Sequence, residues 1–364
     1  MKKHFAGFFS FLFLLSFPFT QARACTTFCL VGKGEVLFGG NYDFDIGDGL
    51  IFTNKRGVAK TAQLGDSSKP AKWVSKYGSV TFNQFGRENP HGGMNEMGLV
   101  VQLMWLVETE YPKDDARPTL GTQEWIQYLL DTSATTAEAI RNAESVRIVS
   151  EVGVKLHYLV SDKMGSTASI EFLNGKLVVH SGTQLKVSTL TNNTYDESLN
   201  YAKTTPIEKV KTDGSFDRFT RAAERTRQFE RQPKTQQEAI DYAFNILSDV
   251  EQKGYTSRIG KTQWSIVYDQ KRGKIYFRTL QNPQIRSIDT RAFEYACGTP
   301  VKMFDVNTKE SGDVTAKFTN YTRKANRDLI ERSFNGTDFL KDVPPAARFY
   351  FASYPESFTC TAAK

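Results

Sequence analysis

Histidine is scarce in this chain, with four among 364 residues. His4 lies in the first segment, and no two of His91, His157 and His180 have the spacing of metal ligands. A histidine-based metal centre is therefore not expected, and no cofactor is implied. A nucleophile that relies on a neighbouring histidine also lacks support. His157 and His180 fall in strand-like runs, where a structural role is the simpler expectation. Cysteine is equally sparse: Cys25, Cys29, Cys297 and Cys360 form no Cys-x-x-Cys pair and no zinc spacing. A strong excess of charge of one sign is missing too. The cluster closest to a basic patch, Lys209, Lys211, Arg218, Arg221, Arg225 and Arg227, is spread over a loop and a helix and reads as a solvated face, so nucleic acid is not an expected partner. No internal repeat or low-complexity linker occurs. Beyond Phe19 no apolar run approaches the roughly 20 residues of a membrane span.

The first segment has what the rest lacks. Lys2, Lys3 and His4 precede an almost wholly apolar stretch from Phe8 to Phe19, and Ala22-Arg23-Ala24 supplies small residues at a cleavage point. These are the three parts of a secretory signal. Residues 1–24 are expected to be removed, leaving a periplasmic or secreted chain with no membrane contact. Without Lys2, Lys3 and Arg23, the 47 basic residues become 44 against 40 acidic ones, a mild net charge of +4. A cut after Ala24 makes Cys25 the first residue, with a thiol and a free α-amine on one residue. The amine has a pKa of about 7.7–8.0, so it can serve as a base at neutral pH. Cleavage would then be activation as well as export. Lipidation of Cys25, or a cut elsewhere that leaves it an ordinary cysteine, are the competing readings. With Cys25 free, at most one disulfide forms among the other three cysteines; Cys297–Cys360 would tie the tail to the body.

Thr26–Val31 and Glu35–Gly39 read as strands joined by a hairpin at Gly32-Lys33-Gly34. Leu99–Trp105 is strand-like, following turn-like Gly92-Gly93-Met94-Asn95. Thr122–Asp131 is an amphipathic helix, and Thr135-x-x-Glu138 is a capping box opening a second helix. Leu156–Val160, Ala168–Phe172 and Lys176–His180 are short strands. Phe216–Gln232 and Thr235–Leu247 read as a helix pair broken at Pro233, and Trp264–Tyr268 with Lys274–Thr279 as a hairpin. Thr322–Arg332 looks helical, with a break at Pro344-Pro345. Strands and helices come in blocks, the pattern of an α+β fold with paired sheets and helices outside.

An N-terminal nucleophile needs a holder for its amine, an oxyanion hole and a pocket. Cys25-Thr26-Thr27, followed by Phe38-Gly39-Gly40-Asn41-Tyr42-Asp43, resembles the start of the choloylglycine hydrolase and penicillin V acylase family. Gly93-Met94-Asn95-Glu96-Met97-Gly98-Leu99, Leu190-Thr191-Asn192-Asn193, Asp217-Arg218-Phe219 and Trp264-Ser265-Ile266-Val267-Tyr268-Asp269 are similar to later family segments, in the same order. The resemblance implies a four-layer αββα N-terminal-nucleophile fold over residues 25–300; residues 301–364 depart from it, longer than the family core requires, and are expected as an extension packed on the same domain. It implies hydrolysis of a small-molecule N-acyl amide. Cys25 attacks the carbonyl, Asp43 holds the amine, Asn192 donates to the oxyanion and Arg218 favours the thiolate. Trp105 falls where the family places an oxyanion-hole residue, usually asparagine or tyrosine, and a backbone N–H there could serve.

Each residue has a plainer reading. Asp43 could be a turn residue, Asn192 a turn amide, Trp105 core or pocket wall, and Arg218 a surface charge, with Arg221 next in line. Trp105, with Met104 and Leu106 beside it, suggests an apolar acyl pocket. An aryl or fatty acyl group, as in penicillin V or acyl-homoserine lactones, fits it better than a bulky bile salt. Bile-salt or lipid-amide hydrolysis on the same fold are the alternatives. The family pattern Gly-Arg-Asn-x-Asp has Gly40 in place of its arginine here. Arg218, Arg87 or Lys55 would have to compensate, or the chain would be an exported binding protein that keeps only the fold. A homo-oligomer is compatible with the sequence.

Overall fold

The computed structural model describes residues 25–64, 69–150, 152–229, 231, 235–253 and 260–361. The signal-like segment and the break expected at Pro233 lie outside the described residues. Thr26–Gly32 (β1) and Glu35–Phe44 (β2) pair antiparallel, and Lys33 and Gly34 both take positive φ (51° and 88°), as a two-residue hairpin turn requires. Thr189–Leu190 pairs with the outer edge of β1. Lys261–Asp269 pairs with β2 and leads through Lys274–Thr279, Arg286–Asp289 and Gly312–Asp313 to complete a seven-stranded sheet.

A nine-stranded sheet faces it. Its order is Lys176–Ser181, Thr167–Leu173, Leu156–Ser161, Val100–Trp105, Gly92–Asn95, Ser79–Asn83, Leu50–Asn54 (β3), Lys302–Asp305 and Thr319–Asn320. Gly92–Asn95 is thus a strand rather than the expected turn. Its glycines are set by close approach: a Cβ on Gly93 would lie 2.6 Å from the Val80 carbonyl oxygen, and one on Gly92 2.9 Å from that of Val101.

Strand alternation separates three cores. Val36, Phe38, Tyr42, Val80, Phe82, Met104, Leu159, Trp264 and Ile266 meet between the sheets. Leu99, Val101, Leu103, Tyr158 and Val160 turn the other way, onto Trp125, Ile126, Leu129 and Leu130 of Glu124–Thr132 (α1) and Ala139 and Ala143 of Thr136–Ser145 (α2). Phe28, Leu30, Leu37 and Val267 face Ala222 and Phe229 of Ser215–Phe229 (α4) and Ile240, Ala243, Phe244 and Leu247 of Gln236–Asp249 (α5). Helix, sheet, sheet, helix is the expected four-layer α+β order. Each fully buried leucine, isoleucine or phenylalanine contributes about 1.5–3 kcal/mol to holding the layers together. Thr135 caps α2 by accepting from the Glu138 N–H, and Thr235 and Glu238 form a reciprocal capping box on α5. The Glu138 carboxylate reaches one residue further back than a box requires, to the Ala134 N–H.

Tyr195–Thr204 (α3) was not read from the sequence; it is short and polar, and its cap is Thr194. Residues beyond 300 add Lys302–Asp305 to the edge of β3, then Arg323–Asn335 (α6) and Pro345–Ser353 (α7). Pro344-Pro345 therefore opens a helix rather than only ending one, because a proline at the first helical position lacks an N–H that would go unused anyway. Thr359–Cys360 pairs with Val58–Thr61, and a disulfide joins Cys297 to Cys360 across 63 residues. A loop of that length limits the unfolded chain by about 4 kcal/mol in the chain-entropy model. Replacing Cys360 by serine is expected to lower the urea midpoint by up to that equivalent; an unchanged midpoint would show that the bridge contributes nothing to folding.

Among the described residues no helix is long and apolar enough to cross a membrane, and no cluster of three or more histidine, cysteine or carboxylate residues could hold a metal ion.

Candidate active site

Cys25 sits at the start of β1, almost fully buried, and lines a cavity of about 400 Å³. Its backbone N–H donates to Asn192 Oδ1 at 2.8 Å. Asn192 is held by three elements. Its N–H donates to Ser215 Oγ (2.9 Å) at the start of α4, and its Nδ2 donates to the Trp105 carbonyl (2.9 Å) at the end of Val100–Trp105. Next to it, the Thr191 carbonyl meets His157 Nε2 at 2.7 Å, and the other His157 nitrogen meets Glu171 at 3.1 Å. His157 is thus structural, as its strand position suggested, and it buttresses the loop that carries Asn192. The orientation of the Asn192 amide follows from its neighbours. Oδ1 faces two obligate donors, Cys25 N–H and Arg218 Nη2 (2.7 Å), while Nδ2 faces an obligate acceptor.

Arg218 reaches this point because the turn before α4 is tied down. Asp217 accepts from the Lys211 and Thr212 N–H groups, from the Thr212 hydroxyl and from Tyr201. That turn brings the Asp213 carbonyl to Arg218 Nε at 3.0 Å. Nη1 then donates to the Cys25 carbonyl (2.7 Å) and Thr26 Oγ1 (2.6 Å). A cation at a helix N-terminus is disfavoured by the helix dipole, and burial lowers the arginine pKa from its usual value. Four acceptors and the nearby Asp43 offset both effects. Arg221, the next candidate, instead donates to the Thr212 carbonyl and does not reach Cys25.

Asp43 lines the same cavity. Thr262 Oγ1 donates to its Oδ1, while Oδ2 is buried and has no hydrogen-bond partner. Burial pushes its pKa up to about 7, against the pull of Arg218 and Thr262; Glu251 and Asp213 add to the rise. The expected bond from the Cys25 nitrogen to Asp43 is not formed. A peptide nitrogen has one hydrogen, and Asn192 takes it.

Trp105 lines the cavity. In its strand, the Leu103 N–H donates to the His91 carbonyl and the Leu106 N–H to that of Lys155. Alternation therefore sends the N–H and C=O of Trp105 to the edge that meets Asn192. Met104 is not in the pocket. It is one residue out of phase with Leu103 and Trp105, lies between the sheets, and its sulfur accepts from Thr27 Oγ1 at 2.8 Å.

Gly40 faces the inner layer, and a Cβ there would fall inside the side-chain amide of Gln102. The space is filled by a buried amide whose Nε2 lies 3.2 Å from His91 Nε2, and His91 packs on Tyr42 at 4.1 Å between ring centres. Burial lowers the His91 pKa to about 3, so this ring is neutral. Neither Gln102 nor His91 carried a motif. Arg87 and Lys55 do not stand in for the arginine: Arg87 lies over Tyr321 and Lys55 donates to Glu294 and Thr299. Among the three, Arg218 is the cation that reaches Cys25.

Residues 25–302 match the family model described as linear amide C–N hydrolases, choloylglycine hydrolase family. The chain is similar to a penicillin V acylase of Pectobacterium atrosepticum, 30% identical over 264 residues that cover 62% of this chain and 69% of that protein. It is 29% identical over 238 residues to a bile salt hydrolase/transferase of Lactiplantibacillus plantarum, covering 54% and 72%. Among solved structures, a penicillin V acylase from Agrobacterium tumefaciens superposes with a TM-score of 0.73 at 30% identity, covering 82% of this chain and 98% of that one. A conjugated bile acid hydrolase from Clostridium perfringens shares the fold, with a TM-score of 0.66 at 21% identity over 79% of this chain and 98% of that one.

Proposed function

The chain belongs to the choloylglycine hydrolase family and is a linear amide C–N hydrolase, and on that premise we propose that it acts through Cys25 once residues 1–24 are removed. The observation that carries this reading is the convergence of Asn192 and Arg218 on Cys25, with Asp43 on the wall of the same apolar cavity. Sγ of Cys25 attacks the amide carbonyl carbon and its proton passes to the α-amine. The tetrahedral oxyanion is met by the second Nδ2 hydrogen of Asn192 and by the Trp105 N–H. Loss of one such donor costs about 10²–10³ in rate. The C–N bond breaks as the leaving amine takes the proton from the ammonium. Water then adds to the acyl thioester, with the same amine as base, and the acid leaves.

The signal-like segment supports export, and the same cut would free the amine. The cavity wall, with Tyr42, Phe44, Phe85, Leu103 and Trp105, supports an aryl or alkyl acyl group. This favours penicillin V or a fatty-acyl amide over a bile salt. A panel of penicillin V, glycocholate, acyl-homoserine lactones and N-acylethanolamines, run with the cleaved chain and its Cys25→Ala variant, tests the reading. Turnover of an acyl amide that vanishes in Cys25→Ala is expected. Turnover retained by the variant would sink the assignment of the nucleophile, and a mature N-terminus at any other residue would sink the mechanism.

A further inference from the structure

The family match ends at residue 302, yet the cavity does not. Part of its wall is formed by Phe334, Phe339, Leu340, Val343, Ala347 and Phe351. Val343, Ala347 and Phe351 recur every four residues and so share one side of α7 and its approach. A row of rings connects this wall to the strand beside the nucleophile. Tyr42 stacks on Phe44 (5.4 Å between centres), Phe44 meets Phe85 edge-on (5.8 Å), Phe85 meets Phe334 (6.3 Å), and Phe334 meets Phe351 (5.7 Å).

The wall is braced before any ligand arrives. The Arg348 guanidinium lies 5.6 Å from the centre of the Phe334 ring. It donates to the Val343 and Lys341 carbonyls, to Glu331 and to Asn335, clasping the turn between α6 and α7. Ser333 Oγ donates to the Gln84 carbonyl, Asn326 Nδ2 to that of Ala352, and Tyr354 to that of Thr61. The Cys297–Cys360 bridge holds the far end.

We infer that the α6–α7 segment is the specificity-determining wall of the acyl site, and that it selects an extended, flexible alkyl chain on the acyl side of the scissile amide. This deepens the proposed function and rests on Cys25 being the acyl acceptor. A row of rings that leads from β2 to α7 rewards each added methylene, by about fourfold in affinity if fully buried. A wall fixed by buried hydrogen bonds yields little to a wide, rigid acyl group.

Ala347 is exposed on α7 while lining the cavity, so a tryptophan there adds bulk at the acyl wall without displacing a buried side chain. The test has two arms. In the first, the cleaved wild type and Ala347→Trp hydrolyse acyl p-nitroanilides from butanoyl to dodecanoyl. The ratio of kcat/KM for dodecanoyl over butanoyl is expected to fall at least tenfold in the variant. In the second, dodecanoate binding to Cys25→Ala is measured by calorimetry with and without Ala347→Trp, and a loss of at least tenfold is expected. An unchanged chain-length ratio together with unchanged dodecanoate binding would overturn the inference. If no anilide is cleaved but Ala347→Trp still weakens dodecanoate binding, the proposed function fails and the wall stands.

Discussion

A chain that keeps even two extra residues on Cys25 is expected to hydrolyse its amide about 10²–10⁴-fold more slowly than the cleaved chain, the contribution typical of a lost general base. The nitrogen of Cys25 is then a peptide N–H pointing at Asn192 Oδ1, with no lone pair to accept the thiol proton. Nothing else described in the site replaces it easily. Both His157 nitrogens are engaged, and the ring is fully buried. His180 lies between Ser169, Glu171 and Asp196 and does not line the cavity. His91 does line it, but a ring whose pKa has fallen to about 3 is a weak base, and one of its nitrogens is committed to Gln102. The check is a Met-Gly extension that stays attached, compared with the cleaved chain on the same substrate. The extended chain should leave Cys25 intact by mass and bind substrate while turning it over at that reduced rate. Activity within tenfold of the cleaved chain would show that another group, with His91 first in line, takes the proton.

The site was legible in the sequence where chemistry sits on short motifs. Cys25 follows a cleavage pattern, Asp43 lies near the end of the second strand of the hairpin that starts beside it, and Asn192 and Arg218 lie in segments whose order matches the family. The structure brings Asn192 and Arg218 onto Cys25 and sets Asp43 on the wall of the same cavity, where Asn192 rather than Asp43 takes the Cys25 N–H. Met104 was misplaced because a strand turns successive side chains to opposite faces, and nothing in Leu103-Met104-Trp105 says which face is the pocket. Gln102 and His91 were missed for a different reason. Their role depends on the empty space at Gly40, and no local pattern records a neighbour 62 residues away in sequence. The tail was the largest omission. Phe334, Phe339, Leu340 and Phe351 carry no motif, and only the packing of α6 on Phe85 and of α7 on α6 joins them to the cavity. The helix pairs, by contrast, were announced by Thr135-x-x-Glu138 and Thr235-x-x-Glu238, because a cap is a local interaction.

Asp43 should make the uncleaved chain less stable as the pH rises, and cleavage should weaken that dependence. In the folded chain burial pushes its carboxyl up to about 7, whereas an unfolded aspartate titrates near 3.9. Between those values the folded state holds a proton that the unfolded state has released. The stability Asp43 contributes is therefore fully present below about pH 4 and lost as the pH rises through 7. The gap between the two values puts the effect on the order of a few kcal/mol. After cleavage the nitrogen carries two further hydrogens and a positive charge, beside a carboxylate whose Oδ2 has no partner. An opposite charge on the same cavity wall favours ionised Asp43 and pulls its pKa down, so the gap to the unfolded value narrows. Asp43→Asn removes the ionisation altogether. Urea unfolding of the extended chain between about pH 4.5 and 8 should show a falling midpoint for wild type and a flatter line for Asp43→Asn, with the variant the more stable at the upper end. In the cleaved chain the wild-type slope should be smaller. There Asp43→Asn should cost about 10² in kcat/KM if, as proposed, the amine is held by that anion. Parallel midpoint curves for wild type and Asp43→Asn in the extended chain would mean that Asp43 does not titrate in this range, and its unpartnered oxygen would need another explanation.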